Sequence, residues 1–134
     1  MGTPTHDDAM LFMEYYKLWD TPLDSEAWTM VRGLRAHGAF DSFDVFRERV
    51  PRASREYGLV DRVFCAFEQA GVLMKHGLLH PDLYFEGWSD PRATWTMAEE
   101  VIKGMRVEAG SDDLYKNFQW LAAACEQWHA TGPG

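Results

Sequence analysis

Cysteine is scarce in this sequence, which has 2 among 134 residues, at Cys65 and Cys125. The two are far apart, and neither belongs to a CxxC or Cys/His cluster of the kind that binds zinc. A disulfide scaffold is therefore excluded. We expect two buried free thiols, because a disulfide would need their helices to pack face to face and a reducing cytosol would oppose it.

Positive charge is also scarce: 13 Lys and Arg stand against 21 Asp and Glu, and the net charge is -8. A nucleic-acid-binding protein needs a basic face to displace counterions from phosphates. Anionic membrane surfaces likewise attract basic segments. The composition therefore predicts a protein whose partners are neither nucleic acid nor membrane.

Long hydrophobic runs are missing, since no segment has the ~20 uninterrupted apolar residues of a membrane span. The first residues, Met1 to Asp8, contain neither a basic start nor the apolar core of a signal peptide. We therefore expect a cytoplasmic protein.

Catalytic motifs are missing as well: the sequence has no GxSxG, no P-loop and no Ser/His/Asp set. His76 and His80 are four residues apart, but Gly77 lies between them and Pro81 follows. Two histidines bind zinc at this spacing only on a continuous helix, so we interpret them as loop residues. The sequence thus predicts no metal, no cofactor and no enzymatic activity.

Strand signals are nearly absent, whereas helix start and stop signals are frequent. Asp90-Pro91 pairs a capping residue with a proline at the first helical position, and Gly77 and Gly110 are helix stops. The first predicted helix covers about 7–19 and is broken by Thr21-Pro22, and the second is capped by Asp24 or Ser25 and ends at about 37. The others are a short helix opened by Asp41-Ser42 before Pro51, 54–76, a short turn from Pro81, 91–109, and a last helix that Ser111 caps and that extends to Trp128.

Three of these helices are long, and each has a single apolar stripe that it must bury on the others. In the central helix the stripe includes Val60, Val63, Phe64, Phe67 and Met74. We therefore predict an all-α fold, a compact helical bundle of three long amphipathic helices plus shorter N-terminal helices. It forms a single helical domain over residues 1–134, with a short flexible tail at 131–134.

Several segments together resemble a known family. They are Phe43-x-x-Phe46-Arg47, Phe64-x-x-Phe67-Glu68-x-x-Gly71-Val72-Leu73-x-x-x-Gly77-Leu78-Leu79, then Trp88, Trp95 and Arg106, and Tyr115-x-Asn117-Phe118-x-Trp120-Leu121-Ala122. In this order and spacing they are similar to a family of small bacterial all-helical proteins catalogued only as a domain of unknown function. The resemblance covers about residues 41–128. It implies a helical fold and a bacterial origin, and it supplies no activity or catalytic residue.

Glu68 lies beside the apolar stripe of the central helix, and Arg106 falls near the inner face of a neighbouring helix. A partly buried carboxylate needs a partner. One alternative is that Glu68 pairs with Arg106 or with backbone groups and so fixes the helix register. The second is that Glu68 is the polar contact at the bottom of a ligand pocket. In the second case, the apolar pocket would be lined by Phe67, Trp95 and Trp120.

The first helix, Met10 to Trp19, is apolar on more than one face. Either the helices that follow bury it, or it offers a docking face rich in methionine and aromatic groups. For the second case we name Tyr15, Tyr16 and Trp19 as interface residues.

Two functional hypotheses remain. The first is a non-enzymatic interaction module of a bacterial cytosolic system that binds a protein partner or forms a homo-oligomer. The second is a helical bundle that binds a small molecule in a pocket keyed by Glu68 and Arg106. The sequence favours the first, because it offers aromatic helix faces and no set of reactive groups.

Overall fold

A computed structural model describes residues 2–132, and all regular secondary structure in that range is helical. The predicted all-α fold is confirmed. The seven helices of the described range are α1 (His6–Leu18), α2 (Pro22–Ala36), α3 (Phe43–Arg49), α4 (Arg55–Lys75), α5 (Pro81–Gly87), α6 (Pro91–Ala109) and α7 (Lys116–Thr131).

Local capping residues start most of these helices. Thr5 caps α1 in a capping box with Asp8, and Thr21 caps α2 in the same way with Asp24. The start predicted for α2 at Asp24 or Ser25 was wrong, since Asp24 is the third helical residue and its carboxylate accepts from the Thr21 N–H. The starts predicted for α3, α4, α5 and α6 agree with the structure to within one residue.

The start of α7 differs from the prediction. Gly110 ends α6 in the left-handed conformation (φ 67°), as expected for a glycine stop. Ser111 does not cap the next helix, because α7 begins five residues later, after Tyr115. Tyr115 is itself left-handed (φ 56°) and its side chain makes no capping hydrogen bond. The first turn of α7 must therefore find its hydrogen-bond acceptors elsewhere.

Helix α4 lies at the centre of the bundle, with α2 and α7 packed against it. Helix α6 packs on α7 and on α3, and α1 rests on α5. The three long helices of the prediction are α4, α6 and α7, with 21, 19 and 16 residues, and α2 has 15. The core is centred on Phe64, Phe67 and Phe118, whose side chains are fully buried.

Thr131, where the flexible tail was predicted to begin, is the last residue of α7, and residues 133 and 134 lie outside the described range. Within residues 2–132, no helix combines the length and the apolar character needed to cross a membrane.

Candidate functional site

Glu68 supplies the missing cap of α7. Its carboxylate accepts hydrogen bonds from the backbone N–H groups of Asn117 (2.8 Å) and Phe118 (3.0 Å), and from the side-chain amide of Asn117 (2.6 Å). A carboxylate at a helix N-terminus satisfies free donors and favourably opposes the helix dipole. Glu68 thus fixes the position of α7 on α4, which is the backbone-pairing alternative of the sequence interpretation.

Gly71, the glycine of the Phe-Glu-x-x-Gly segment, lies against the first turn of α7. A Cβ on Gly71 would overlap the backbone carbonyl of Asn117, so only glycine allows the first turn of α7 to approach α4 this closely. Nearby, Phe67 stacks on Phe118 with ring centroids 4.8 Å apart. Glu68, Gly71, Asn117 and Phe118, which belong to two of the segments that carry the family resemblance, therefore join α4 to α7.

Arg106, on α6, also makes hydrogen bonds to residues on either side of the start of α7. Its guanidinium donates to the backbone carbonyl of Leu114 (2.9 Å) and to the side chain of Gln119 (3.0 Å), and it lies over the ring of Trp95. Both charged side chains predicted to key a pocket thus hold α7 in place, Glu68 from α4 and Arg106 from α6.

Of the three aromatic residues predicted to line that pocket, Phe67 and Trp95 both pack on Phe118, with ring centroids 4.8 and 5.2 Å from it. Phe67 is 0% exposed and belongs to the core. Trp95 lines a groove of about 250 Å³ next to Arg92 and Glu126. Trp120 lines a different groove of about 640 Å³. The second groove is apolar and lies between α4, α5 and α7, where its walls are Met74, Pro81, Phe85, Trp120, Ala123, Ala124, Gln127, Trp128 and Thr131. We call it the Trp120 groove.

The aromatic residues predicted to form an interface on α1 point towards the bundle. Tyr15 is 2% exposed, and its hydroxyl donates to the Ala66 carbonyl (2.6 Å); burial raises the pKa of this hydroxyl above its usual value. Trp19 donates its indole N–H to Gln69 (2.5 Å). Tyr16 packs edge-on against Trp88. These groups attach α1 to the domain, and Tyr15 cannot reach a partner.

The opposite side of α1 is apolar and exposed. Met10, Leu11, Met13 and Leu18 are 52, 45, 48 and 58% exposed. Between them lie Glu14 and Lys17, which pair across one helical turn at 3.4 Å. We call these six residues the outer face of α1.

The spacing in the sequence places most residues of the outer face on one side of α1. Met10, Glu14 and Leu18 recur every four residues, and Met13 and Lys17 form the adjacent row, so all five share one side of the helix. Aromatic content drew attention to the inner side instead. Helical periodicity identifies two sides of α1 but cannot tell which of two apolar sides the bundle covers.

The two histidines of the α4–α5 connection have structural roles. His76 is the C-terminal cap residue of α4. His80 is 2% exposed; its ring accepts from the Asp82 N–H (3.1 Å) at the start of α5 and lies 2.6 Å from the Gly2 carbonyl oxygen.

The two cysteines are free thiols. Cys65 is half-buried on α4, where burial and the neighbouring Asp61 raise the pKa of its thiol to about 12. A thiol with such a pKa is protonated at neutral pH and is a poor nucleophile.

Comparison with known proteins identifies a family. The model of the family described as "Domain of unknown function (DUF4760)" matches residues 13–128. The match extends further towards the N-terminus than the resemblance at 41–128 and includes α2 and the second half of α1. Neither a curated protein nor a solved structure matches the chain.

Proposed function

Because the chain belongs to the family described as Domain of unknown function (DUF4760), we propose its function from its own surface: it is a non-enzymatic module that pairs with a second copy of itself through the outer face of α1. The observation that carries this proposal is the exposure of four large apolar side chains on one side of a helix whose other side is already anchored. Contiguous apolar surface of this kind is typical of protein–protein contact sites.

The order of side chains on the outer face is self-complementary. Residues 13, 14, 17 and 18 are Met, Glu, Lys and Leu, an apolar–acidic pair followed by a basic–apolar pair. When two copies of α1 pack antiparallel about a two-fold axis between residues 15 and 16, Met13 lies level with Leu18 of the other copy, each at one edge of the contact. Glu14 then meets Lys17 of the other copy, and each contact occurs twice. A two-fold interface requires this kind of self-matching surface.

The attachment of α1 supports the same proposal. Because Tyr15 and Trp19 bond to α4 and Tyr16 packs on Trp88, the outer face is held in a fixed orientation. A preorganised face loses little conformational entropy on association, so more of the apolar burial contributes to affinity.

Apolar-to-charged substitution tests the proposal. Leu18→Glu removes the burial of an exposed leucine, worth roughly 1 kcal/mol in each copy and about 2 kcal/mol per dimer. We therefore expect the dimer dissociation constant to rise at least about thirtyfold, measured by sedimentation equilibrium. The matched control is Val107→Glu, which makes a similar change on α6 at a side chain that is 84% exposed.

Charge exchange tests the two-fold geometry. Glu14→Lys or Lys17→Glu alone places like charges opposite each other and weakens the dimer, by roughly fivefold for two exposed pairs. The double variant Glu14→Lys/Lys17→Glu restores the pairing. Mixing the two single variants should produce a heterodimer that is preferred over either homodimer.

A wild-type protein that stays monomeric up to millimolar concentration would refute the proposal. Dimers equally weakened by Val107→Glu would place the interface elsewhere.

We place this module in the bacterial cytosol. The net charge of -8 and the free thiols of Cys65 and Cys125 support this location, since a reducing compartment keeps cysteines unpaired. Recovery of the native protein from a periplasmic or membrane fraction of its host would contradict it.

A second candidate function is binding of an apolar small molecule in the Trp120 groove. Its volume of about 640 Å³ and apolar walls fall in the range of ligand pockets. The probe 1-anilinonaphthalene-8-sulfonate should fluoresce with wild-type protein and lose most of that signal with Ala124→Phe, which fills the groove. Val107→Phe adds the same ring outside it. An unchanged signal with Ala124→Phe would exclude the groove.

A further inference from the structure

A mixed cluster of metal-ligating side chains lies at the junction of the α5–α6 connection with α7. Asp90, Cys125 and His129 each offer one donor atom, and these three atoms lie within 4.8 Å of one another. The thiol of Cys125 points to a carboxylate oxygen of Asp90 at 3.7 Å. Such a grouping of carboxylate, thiol and imidazole brings together the three donor types that zinc uses in proteins.

The backbone fixes these donors. Cys125 and His129 are four residues apart within α7 and therefore share one side of a continuous helix. His76 and His80 have the same spacing but do not lie on one continuous helix, because α4 ends at Lys75 and α5 begins at Pro81. Asp90 is held as the N-terminal cap of α6, where its oxygen accepts from the Arg92 N–H at 2.9 Å.

The charges around the cluster suit a divalent cation. The Arg92 guanidinium donates to both oxygens of Asp90, at 3.1 Å to Oδ1 and 2.7 Å to Oδ2, and lies 3.8 Å from Glu126, so its positive charge is shared between two carboxylates. It orients Asp90 in the way that partners of metal-bound carboxylates do. Asp90 remains 42% exposed, and His129 is exposed, which leaves a path for an ion and room for a water as fourth ligand.

We propose that Asp90, Cys125 and His129 bind one Zn²⁺ ion through a carboxylate oxygen, a thiolate sulfur and an imidazole nitrogen. The ion would hold the segment that precedes α6 against helix α7. The sulfur and nitrogen donors select a transition metal over Mg²⁺ or Ca²⁺, which prefer oxygen ligands alone.

Binding requires one proton to leave. A cysteine binds zinc as the thiolate, so the Cys125 thiol gives up its proton on binding. Zn²⁺ replaces that proton, which passes to the buffer, and the thiolate becomes a ligand. The proposal is independent of the outer face of α1, because the two surfaces share no residue.

Cobalt provides a direct probe, since Co²⁺ occupies zinc sites, absorbs strongly in the visible when its geometry is tetrahedral, and gives a charge-transfer band in the near ultraviolet when a ligand is thiolate. Titration of the full metal-free chain with Co²⁺ should give a thiolate-to-cobalt charge-transfer band that saturates at one ion per chain. Zn²⁺ should then remove the band by displacement. An absent band in the wild type would overturn the proposal.

The second cysteine gives a matched control. Cys125→Ser should abolish the band, whereas Cys65→Ser should leave it unchanged, because Cys65 lies on α4 against Asp61. Should Cys125→Ser unfold, His129→Ala changes only an exposed side chain, and it should weaken Co²⁺ binding at least tenfold. A band that survives Cys125→Ser in folded protein, or affinity unaffected by His129→Ala, would overturn the proposal. Equal loss with Cys65→Ser would do the same, by showing adventitious binding to thiols.

Discussion

The carboxylate of Glu68 should stabilise the whole domain through the start of α7. It accepts three hydrogen bonds, two of them from backbone N–H groups that have no acceptor within their own helix. Hydrogen bonds to a charged group contribute about 1.5–3 kcal/mol each, and loss of an N-terminal cap costs about 0.5–2 kcal/mol. These contributions overlap, so we expect Glu68→Ala to lower the free energy of unfolding by about 3 kcal/mol.

Urea denaturation followed by circular dichroism measures this loss directly. A domain of this size is stable by about 5–15 kcal/mol, so the variant should still fold and its midpoint should shift clearly. Asn117→Ala should cost less, about 1 kcal/mol, because the carboxylate keeps both backbone N–H groups. Glu68→Gln should fall between the two, since it keeps an acceptor oxygen and loses the charge.

A control separates capping from the loss of any acidic side chain. Glu100 is exposed on α6, and Glu100→Ala should change stability by no more than about 0.5 kcal/mol. If Glu68→Ala is as mild as this control, or milder than Asn117→Ala, then Glu68 does not hold α7 and the reasoning fails.

Two further predictions concern the contacts around α4. Gly71→Ala should destabilise the domain by at least about 1–3 kcal/mol, because the new methyl group would overlap the Asn117 carbonyl and force α7 away from α4, and urea denaturation would show this. Burial raises the pKa of Asp24, but hydrogen bonds from Arg62 (2.5 Å) and Thr21 (2.6 Å) outweigh it and hold the pKa below its usual value. The ion pair therefore stabilises the fold above about pH 4, and this contribution disappears as the pH falls through the lower, folded-state pKa. Asp24→Asn should accordingly be more destabilising at pH 7 than at about pH 2, and an equal loss at both values would contradict the assignment.

Most helix ends in this protein follow from local sequence. Ser42, Ser54 and Asp90 cap their helices through hydrogen bonds to residues two or three positions away, so a short window of sequence contains both partners. The α2 start was misplaced because Thr21-Pro22 was interpreted as a break, although a threonine cap followed by a proline is also a start signal.

The start of α7 and the candidate sites depended on tertiary structure. The acceptor that caps α7 comes from Glu68, 49 residues earlier in the chain, and no local pattern connects the two. Asp90 likewise meets Cys125 only because α6 and α7 pack together; the Cys125–His129 spacing alone was visible in the sequence.

The sequence by itself determined that the chain forms helices, where most of them begin and end, and that their apolar stripes must be buried together. Hydrogen bonds and steric limits within a few residues decide those features. Only the tertiary structure decided which apolar side of α1 is covered, and that Glu68 caps α7 instead of lining a pocket. Those outcomes depend on which residues pack against a given side chain. Whether a side chain such as Leu18 is buried or exposed is decided by those neighbours.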